Sequence, residues 1–271
     1  MLAHASISAY TASMPAANLD DLFAQTLQGD YDNDEAWEAI RTLRSIGSRE
    51  VFDRAVGCCR SDEPLKRARG ADILAQLGKT SENSANPFPG ETFDVLTGML
   101  ESETDPAPLS ALIAALGHLG NPAAIPLILP FGYHPHPDVR FDLAFALGCF
   151  ADDERTVSTL IRLMTDKDSD VRDWATFGLG VLGDFDSPRI RESLFQNLSD
   201  ADQDVREEAM VGLARRRDLR AVPAVMNALQ NREPSLEAFD AANFLLERTA
   251  DPLEDPSACL EAMHQRYPSP G

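Results

Sequence analysis

Apolar residues recur along this chain at helical spacing, and the pattern itself repeats. In the clearest stretch Val171, Ala175, Leu179 and Leu182 fall on one helical face. A second apolar stripe follows at Ile190, Leu194, Phe195 and Leu198. Asp170 precedes the first stripe, where a carboxylate can cap free amides and meet the positive end of the helix dipole. Gly183 is its stop signal, and Ser187-Pro188 opens the second stripe with a cap and a proline suited to the first helical position. The pattern predicts a helix A over 171–182 and a helix B from about 188. No alternating pattern of the strand kind stands out, so the expected fold class is all-α.

The same pair is written again on either side. Pro137-Asp138-Val139-Arg140, Ser169-Asp170-Val171-Arg172 and Gln203-Asp204-Val205-Arg206 each open an apolar helix. Taking the leucine near the end of helix A as a ruler gives Leu43, Leu74, Leu116, Leu147, Leu179, Leu213 and Leu245, spaced 31, 42, 31, 32, 34 and 32 residues apart. Such periods mark a repeat array, in which no helix pair can bury its stripe alone and neighbours must stack. The expectation is one right-handed α-solenoid of about seven helix pairs over 19–267, with a disordered tail over 1–18 and a short one over 268–271. Just past the ruler leucine stand Ala75, Gly117, Gly148, Gly180 and Ala214, small residues that suggest a close backbone neighbour.

The Asp-Val-Arg openings, together with Ala146-Leu147-Gly148, Leu179-Gly180-Val181-Leu182-Gly183 and Gly212-Leu213-Ala214, resemble the HEAT repeat, specifically the short bacterial type named after phycobilisome lyases. Leu74-Ala75-Gln76-Leu77-Gly78 and Leu116-Gly117-His118-Leu119-Gly120 fit the second half of the unit only. The resemblance implies a solenoid with helices A on the convex side and helices B on the concave side. It says little of function, since such repeats serve many partners.

Charge narrows the field. A formal net charge of −20 disfavours roles built on phosphate contacts or an anionic membrane surface. It suits a basic or mixed-charge protein partner. The four cysteines form no Cys-x-x-Cys pair, so neither a disulfide framework nor a zinc motif is expected, and a reducing cytoplasmic setting is. The N-terminal stretch lacks the basic region and apolar core of a signal peptide, and no apolar run approaches a membrane span. Asp30-x-Asp32-x-Asp34 begins like a calcium loop, but Glu35 and Arg41 stand where glycine and glutamate belong. His134 and His136 have no third ligand in view. No metal, cofactor or catalytic motif is therefore expected.

Candidate binding residues come from departures within the frame. Equal spacing makes Arg140, Arg172 and Arg206 a stacking device, each pairing with an acid of a neighbouring unit. Helix B is less regular. Arg155, Arg189 and Arg220 fall in its first turn, where a cation opposes the helix dipole. Arg162, Gln196 and Asn227 fall two positions past the core residues Leu160, Leu194 and Val225. The equivalent first-turn positions of the first two units hold Glu50 and Glu91. This predicts a concave groove, acidic at its N-terminal end and arginine-lined at its C-terminal end. Pairing of those arginines with nearby acids such as Asp153, Asp186 and Asp218 is the competing reading. Two irregular loops add Phe88, in the insertion over 79–90, and Tyr133, in the run Pro130–Pro137.

The expected function is a non-catalytic, protein-binding solenoid, an adaptor, scaffold or inhibitor-like module acting as a monomer or weak homo-oligomer. Arg155, Arg162, Arg189 and Arg220 would engage partner carboxylates. The alternative that the resemblance implies is a phycobilin-lyase-like or other HEAT-fold enzyme subunit. A DNA-binding glycosylase of related fold needs a basic groove, which this composition does not offer.

Overall fold

The computed structural model describes residues 18–83 and 85–268. Apart from Asn18 and Pro268, the tails expected at the two ends lie outside the described residues. Those described form helices and connecting turns only. In chain order the α-helices are α1 (Leu19–Gln25), α2 (Asp34–Ile46), α3 (Arg49–Cys59), α4 (Pro64–Ala75), α5 (Pro89–Leu100), α6 (Pro106–Leu119), α7 (Ile125–Ile128), α8 (Pro137–Gly148), α9 (Glu154–Leu163), α10 (Ser169–Phe177), α11 (Pro188–Asn197), α12 (Gln203–Arg215), α13 (Val222–Leu229), α14 (Leu236–Leu245) and α15 (Pro256–Arg266). From α2 onward they fall into seven pairs, with α1 as an extra helix packed on α2. None is long and apolar enough to cross a membrane.

The ruler leucines carry the core. Leu43, Leu74, Leu116, Leu147, Leu179 and Leu213 are fully buried and Leu245 nearly so, within one continuous apolar core from Leu22 to Met263. Burying a leucine is worth about 1.5–3 kcal/mol, and here each is covered by the next unit as well as its own. The cap of α10 starts it two residues earlier than the sequence pattern suggests. Asp168, not Asp170, caps α10 by accepting the Asp170 amide at 3.1 Å, which leaves Asp170 in the first turn facing the dipole. Asp105, Asp153 and Asp202 cap α6, α9 and α12 in the same way. Helix α10 continues through a π-helical turn over Gly178–Leu182, and Gly183 then leaves it in an extended conformation.

Two of the three Asp-Val-Arg arginines tie unit to unit as expected, whereas Arg206 makes no ion pair with a neighbouring unit among the described residues. Arg140 grips Asp166 through Nε and Nη2 at 2.7 and 2.8 Å, and Arg172 grips Asp200 at 2.8 Å through both. Arg67, whose surroundings do not match Asp-Val-Arg, makes the same bidentate pair with Glu103. A planar guanidinium fork matched to a carboxylate fixes orientation as well as distance.

The two layers are not equally spaced. A Cβ placed on Gly117 of α6 would lie 2.7 Å from the Cα of Ala146 in α8. One placed on Gly212 of α12 would lie 2.7 Å from the Cα of Gly180. The even-numbered helices α4 to α14 thus pack backbone to backbone, while the odd-numbered ones pack mainly on them. In a curved double layer the closer-spaced helices lie inside the curve. The concave face is therefore built by the A helices, and the expectation that helices B line it is corrected. Periodicity shows which face of a helix is buried; it does not show which layer the curve encloses.

Candidate functional site

The concave layer encloses a groove of about 750 Å³ spanning the first five units. Helix α6 forms its floor. Ala107, Ala111, Ala114 and His118 recur at helical spacing on the groove side, so the floor adds little bulk and leaves room between the walls. Tyr31, Trp37, Arg44 and Asp72 make one wall; Asp138, Phe141, Asp142 and Phe145 make the other. Asp32, Asp168 and Asp170 complete the lining.

The first wall holds a cation of its own. Arg69 is completely buried and lies over the rings of Tyr31 and Trp37, 4.6 and 5.2 Å from their centroids. Its Nη2 donates to the Tyr31 carbonyl at 2.8 Å and its Nη1 stands 3.6 Å from the Asp72 carboxylate. Tyr31 donates its hydroxyl to both oxygens of that carboxylate at 2.9 and 3.1 Å, and Arg44 donates Nε and Nη2 to the Asp72 carbonyl. Burial pushes the Asp72 carboxyl up to about 6, against the pull of Arg44, Tyr31 and Arg69. Burial and the adjacent Asp72 also drive the Tyr31 phenol well above its ordinary range.

The second wall repeats this chemistry without the cation. Asp142 accepts a hydrogen bond from Ser110 at 2.5 Å and lines the groove with Phe141 and Phe145, whose rings both meet Trp174. Trp174 meets Phe145 edge-on at 5.2 Å. Burial raises the Asp142 carboxyl to about 7, the Ser110 bond opposing and the charges of Asp72 and Asp138 reinforcing the rise. His118 cannot neutralise it, since burial and the nearby Arg44 and Lys79 hold its ring down to about 4 and hence uncharged at neutral pH. The acidic face continues where Asp173 and Glu208 occupy the helix registers of Phe141 and Asp142. Burial together with neighbouring carboxylates raises these two to about 6 and about 8. Groups so shifted are ones that a bound cation would relieve.

Comparison with known proteins agrees with this architecture. The family description HEAT repeats matches residues 93–180, and PBS lyase HEAT-like repeat matches residues 205–231. The array is built of HEAT repeats. Protein YibA of Escherichia coli (strain K12) is 26% identical to this HEAT chain over 244 residues, 88% of this chain and 84% of YibA. An X-ray structure of the Escherichia coli YibA shares the fold with a TM-score of 0.68 at 24% identity, covering 92% of each chain. Phycocyanobilin lyase subunit alpha of Thermosynechococcus vestitus is 38% identical over 76 residues, 28% of each chain. The structure of the complex of CpcE and CpcF of phycocyanin lyase from Nostoc sp. PCC7120 has a TM-score of 0.50 at 17% identity, covering 97% of this chain and 99% of that one.

The residues singled out in the sequence lie on the outer HEAT helices and the connecting edges. Arg155 grips Asp153, the cap of its own helix, and Arg220 grips its cap Asp218 together with Glu192. These bonds explain cations in a first turn: each guanidinium is held by the cap carboxylate, and Arg155 pulls Asp153 down to about 2. In the intervening unit Arg191, not Arg189, binds the acid Asp186, leaving Arg189 exposed. Arg162 stacks on Tyr133, its guanidinium 4.0 Å from the ring centroid, while Tyr133 remains 79% exposed. Gln196 is exposed and hydrogen-bonds Glu192; Asn227 is exposed beside α12. Phe88 packs against Phe52 with ring centroids 5.0 Å apart, under Arg49. None of these eight residues lines the acidic groove. Of the groove residues Tyr31, Trp37, Asp72 and Asp142 passed unremarked, although Asp72 and Asp142 interrupt otherwise apolar helix segments, which is the signal that would have found them.

Proposed function

We propose that this protein is a non-catalytic binding solenoid whose concave groove takes a basic segment of a protein partner. The observation that carries the reading is the pair of walls. Each sets an aspartate near aromatic rings, buried at Asp72 and half-buried at Asp142, and only the Tyr31–Trp37 wall supplies its own guanidinium. An arginine or lysine side chain entering between Phe141, Phe145 and Asp142 would find what Arg69 finds across the groove: a ring face and a carboxylate in a site of low water content. The acids around the groove would steer such a segment from a distance. The relation to the CpcE and CpcF complex supports a protein partner in general terms.

The test is fluorescence anisotropy of the full chain with a labelled arginine-rich peptide at pH 8. Saturable binding is expected, with about tenfold weaker affinity for Asp142→Asn, an uncharged isostere. Equal affinity for the wild type and the variant would remove the groove from the function. The limited identity with a phycocyanobilin lyase subunit favours a second reading, a bilin-binding subunit. A bilin brings propionate charge, which the acidic groove receives poorly. A shifted bilin absorption band on mixing with this chain would favour that reading over the first.

A further inference from the structure

The arginine frame carries a second site, separate from the groove. Three units share one device. The Nη1 of Arg67, Arg140 and Arg172 is held by backbone carbonyls of its own loop, and its Nε and Nη2 grip a carboxylate of the next unit. The carboxylates are Glu103, Asp166 and Asp200, each two residues before a helix cap, and each also accepts the amide of that cap. Arg206 repeats the first half of the device. Its Nη1 donates to the carbonyls of Asp200, Ala201 and Asp202 at 2.8, 2.9 and 2.8 Å. The second half is not made: among the described residues no ion pair forms at Arg206. Glu233 holds the matching place before the cap Ser235, but it is exposed and takes no amide from that cap. Pro234 separates the two. A groove of about 470 Å³ opens at this point instead, lined by Arg206, Leu198, Met210, Asn227 and Asn231.

We infer that Arg206 is an open rung of the ladder, a docking point for an aspartate or glutamate side chain on an acidic loop of a protein partner. The fork is already oriented by three carbonyls, so little freedom is lost when a carboxylate arrives. The three filled rungs give the geometry it accepts, two parallel N–H donors at 2.7–3.1 Å. Leu198 offers the incoming loop an apolar contact, and Asn227 and Asn231 offer polar ones. This site presents the Arg206 guanidinium, with Glu207 the one carboxylate in its lining, where the concave groove is acidic, so the two are distinguishable by the charge of what they bind.

A synthetic peptide copying a filled rung, acetyl-Asp-Lys-Asp-Ser-Asp-amide, serves as the probe. The arginine Nε–H signals of the 15N-labelled full chain are followed as peptide is added, with the Arg206 signal assigned from Arg206→Lys. A saturable downfield shift of that signal is expected. It should be absent with the peptide in which asparagine replaces every aspartate, and peptide affinity should be about tenfold weaker in Arg206→Lys, which keeps the charge and loses the fork. Absence of a shift, or an equal shift with the neutral peptide, overturns the inference. So does a move of the Arg206 signal in Glu233→Gln without peptide, because it would mean that Glu233 already closes the rung.

Discussion

Arg172 on α10 and Asp200, which begins the next unit, face each other fork to fork, with Nε and Nη2 each 2.8 Å from a carboxylate oxygen. Both are largely withdrawn from water, at 16% and 11% side-chain exposure. Asp200→Asn should therefore lower stability by about 2 kcal/mol, less than the ~3–5 kcal/mol for breaking a fully buried pair. A shifted urea midpoint is the measurement. The pH dependence has a definite sign. The Arg172 hydrogen bond holds the Asp200 carboxyl below its ordinary value, so the contribution is present above the unfolded-state pKa. It is lost as pH falls on through the lower folded one, so wild type and variant should only begin to converge below about pH 4.

The same glycine-to-alanine change should have opposite signs in the two layers. Gly212 lies in the inner layer, where an added Cβ would meet the Gly180 Cα at 2.7 Å and Leu194 at 3.0 Å. Backbone cannot yield as a side-chain tip can, so Gly212→Ala should cost about 1–3 kcal/mol despite the better helix propensity of alanine. Gly98 is exposed on the outer helix α5 and a Cβ there meets nothing within 4 Å. Gly98→Ala should gain about 0.5–1 kcal/mol through helix propensity alone. Thermal melts of the two variants against wild type read both signs.

Much of the frame was legible because repetition multiplies weak signals. A leucine at one helical position means little, but seven at near-constant spacing located every helix pair, and all seven are buried. Equal spacing also marked Arg140, Arg172 and Arg206 as stacking residues, and the first two pair across units while Arg206 does not. The site was less legible for two physical reasons. Curvature is a property of the stack, so nothing within one unit distinguishes α8 as inner from α9 as outer. And Tyr31, Arg69, Asp72 and Trp37 come from different elements that meet only once the units are assembled. Arg155 and Arg220 drew notice because a first-turn cation opposes the dipole; the reason is local, a grip on their own cap residues.

Removing the half-buried charge of the second wall should stabilise the protein at high pH. In the folded chain the Asp142 carboxyl is raised to about 7 by burial, from its ordinary value of 3.8. Between those values the folded state holds a proton that the unfolded state has released, so stability falls as pH rises from about 4 to 7. Asp142→Asn keeps an acceptor for Ser110 and carries no charge. It should be more stable than wild type by about 1–3 kcal/mol at pH 8, and equal to it near pH 3. Urea midpoints measured across that range give the comparison, and a variant less stable than wild type at pH 8 would contradict the burial argument.

Affinity for a basic segment should follow the same ionisation in the opposite sense. The groove carboxylates Asp72 and Asp142, at about 6 and about 7, are partly protonated near neutrality because burial disfavours their charge. A guanidinium entering beside Asp142 favours the charged form, so its binding expels a proton and is strengthened when the proton has already left. Raising pH from 6 to 8 should tighten binding of an arginine-rich peptide by up to about tenfold, the limit for one group titrating near 7. Calorimetry in buffers of different ionisation enthalpy should show net proton release at pH 6.5. In Asp142→Asn both the proton release and the pH slope should shrink. Asp72, already facing Arg69, should contribute little of either, so Asp72 is not the group to which the remaining slope should be traced if Asp142 proves silent.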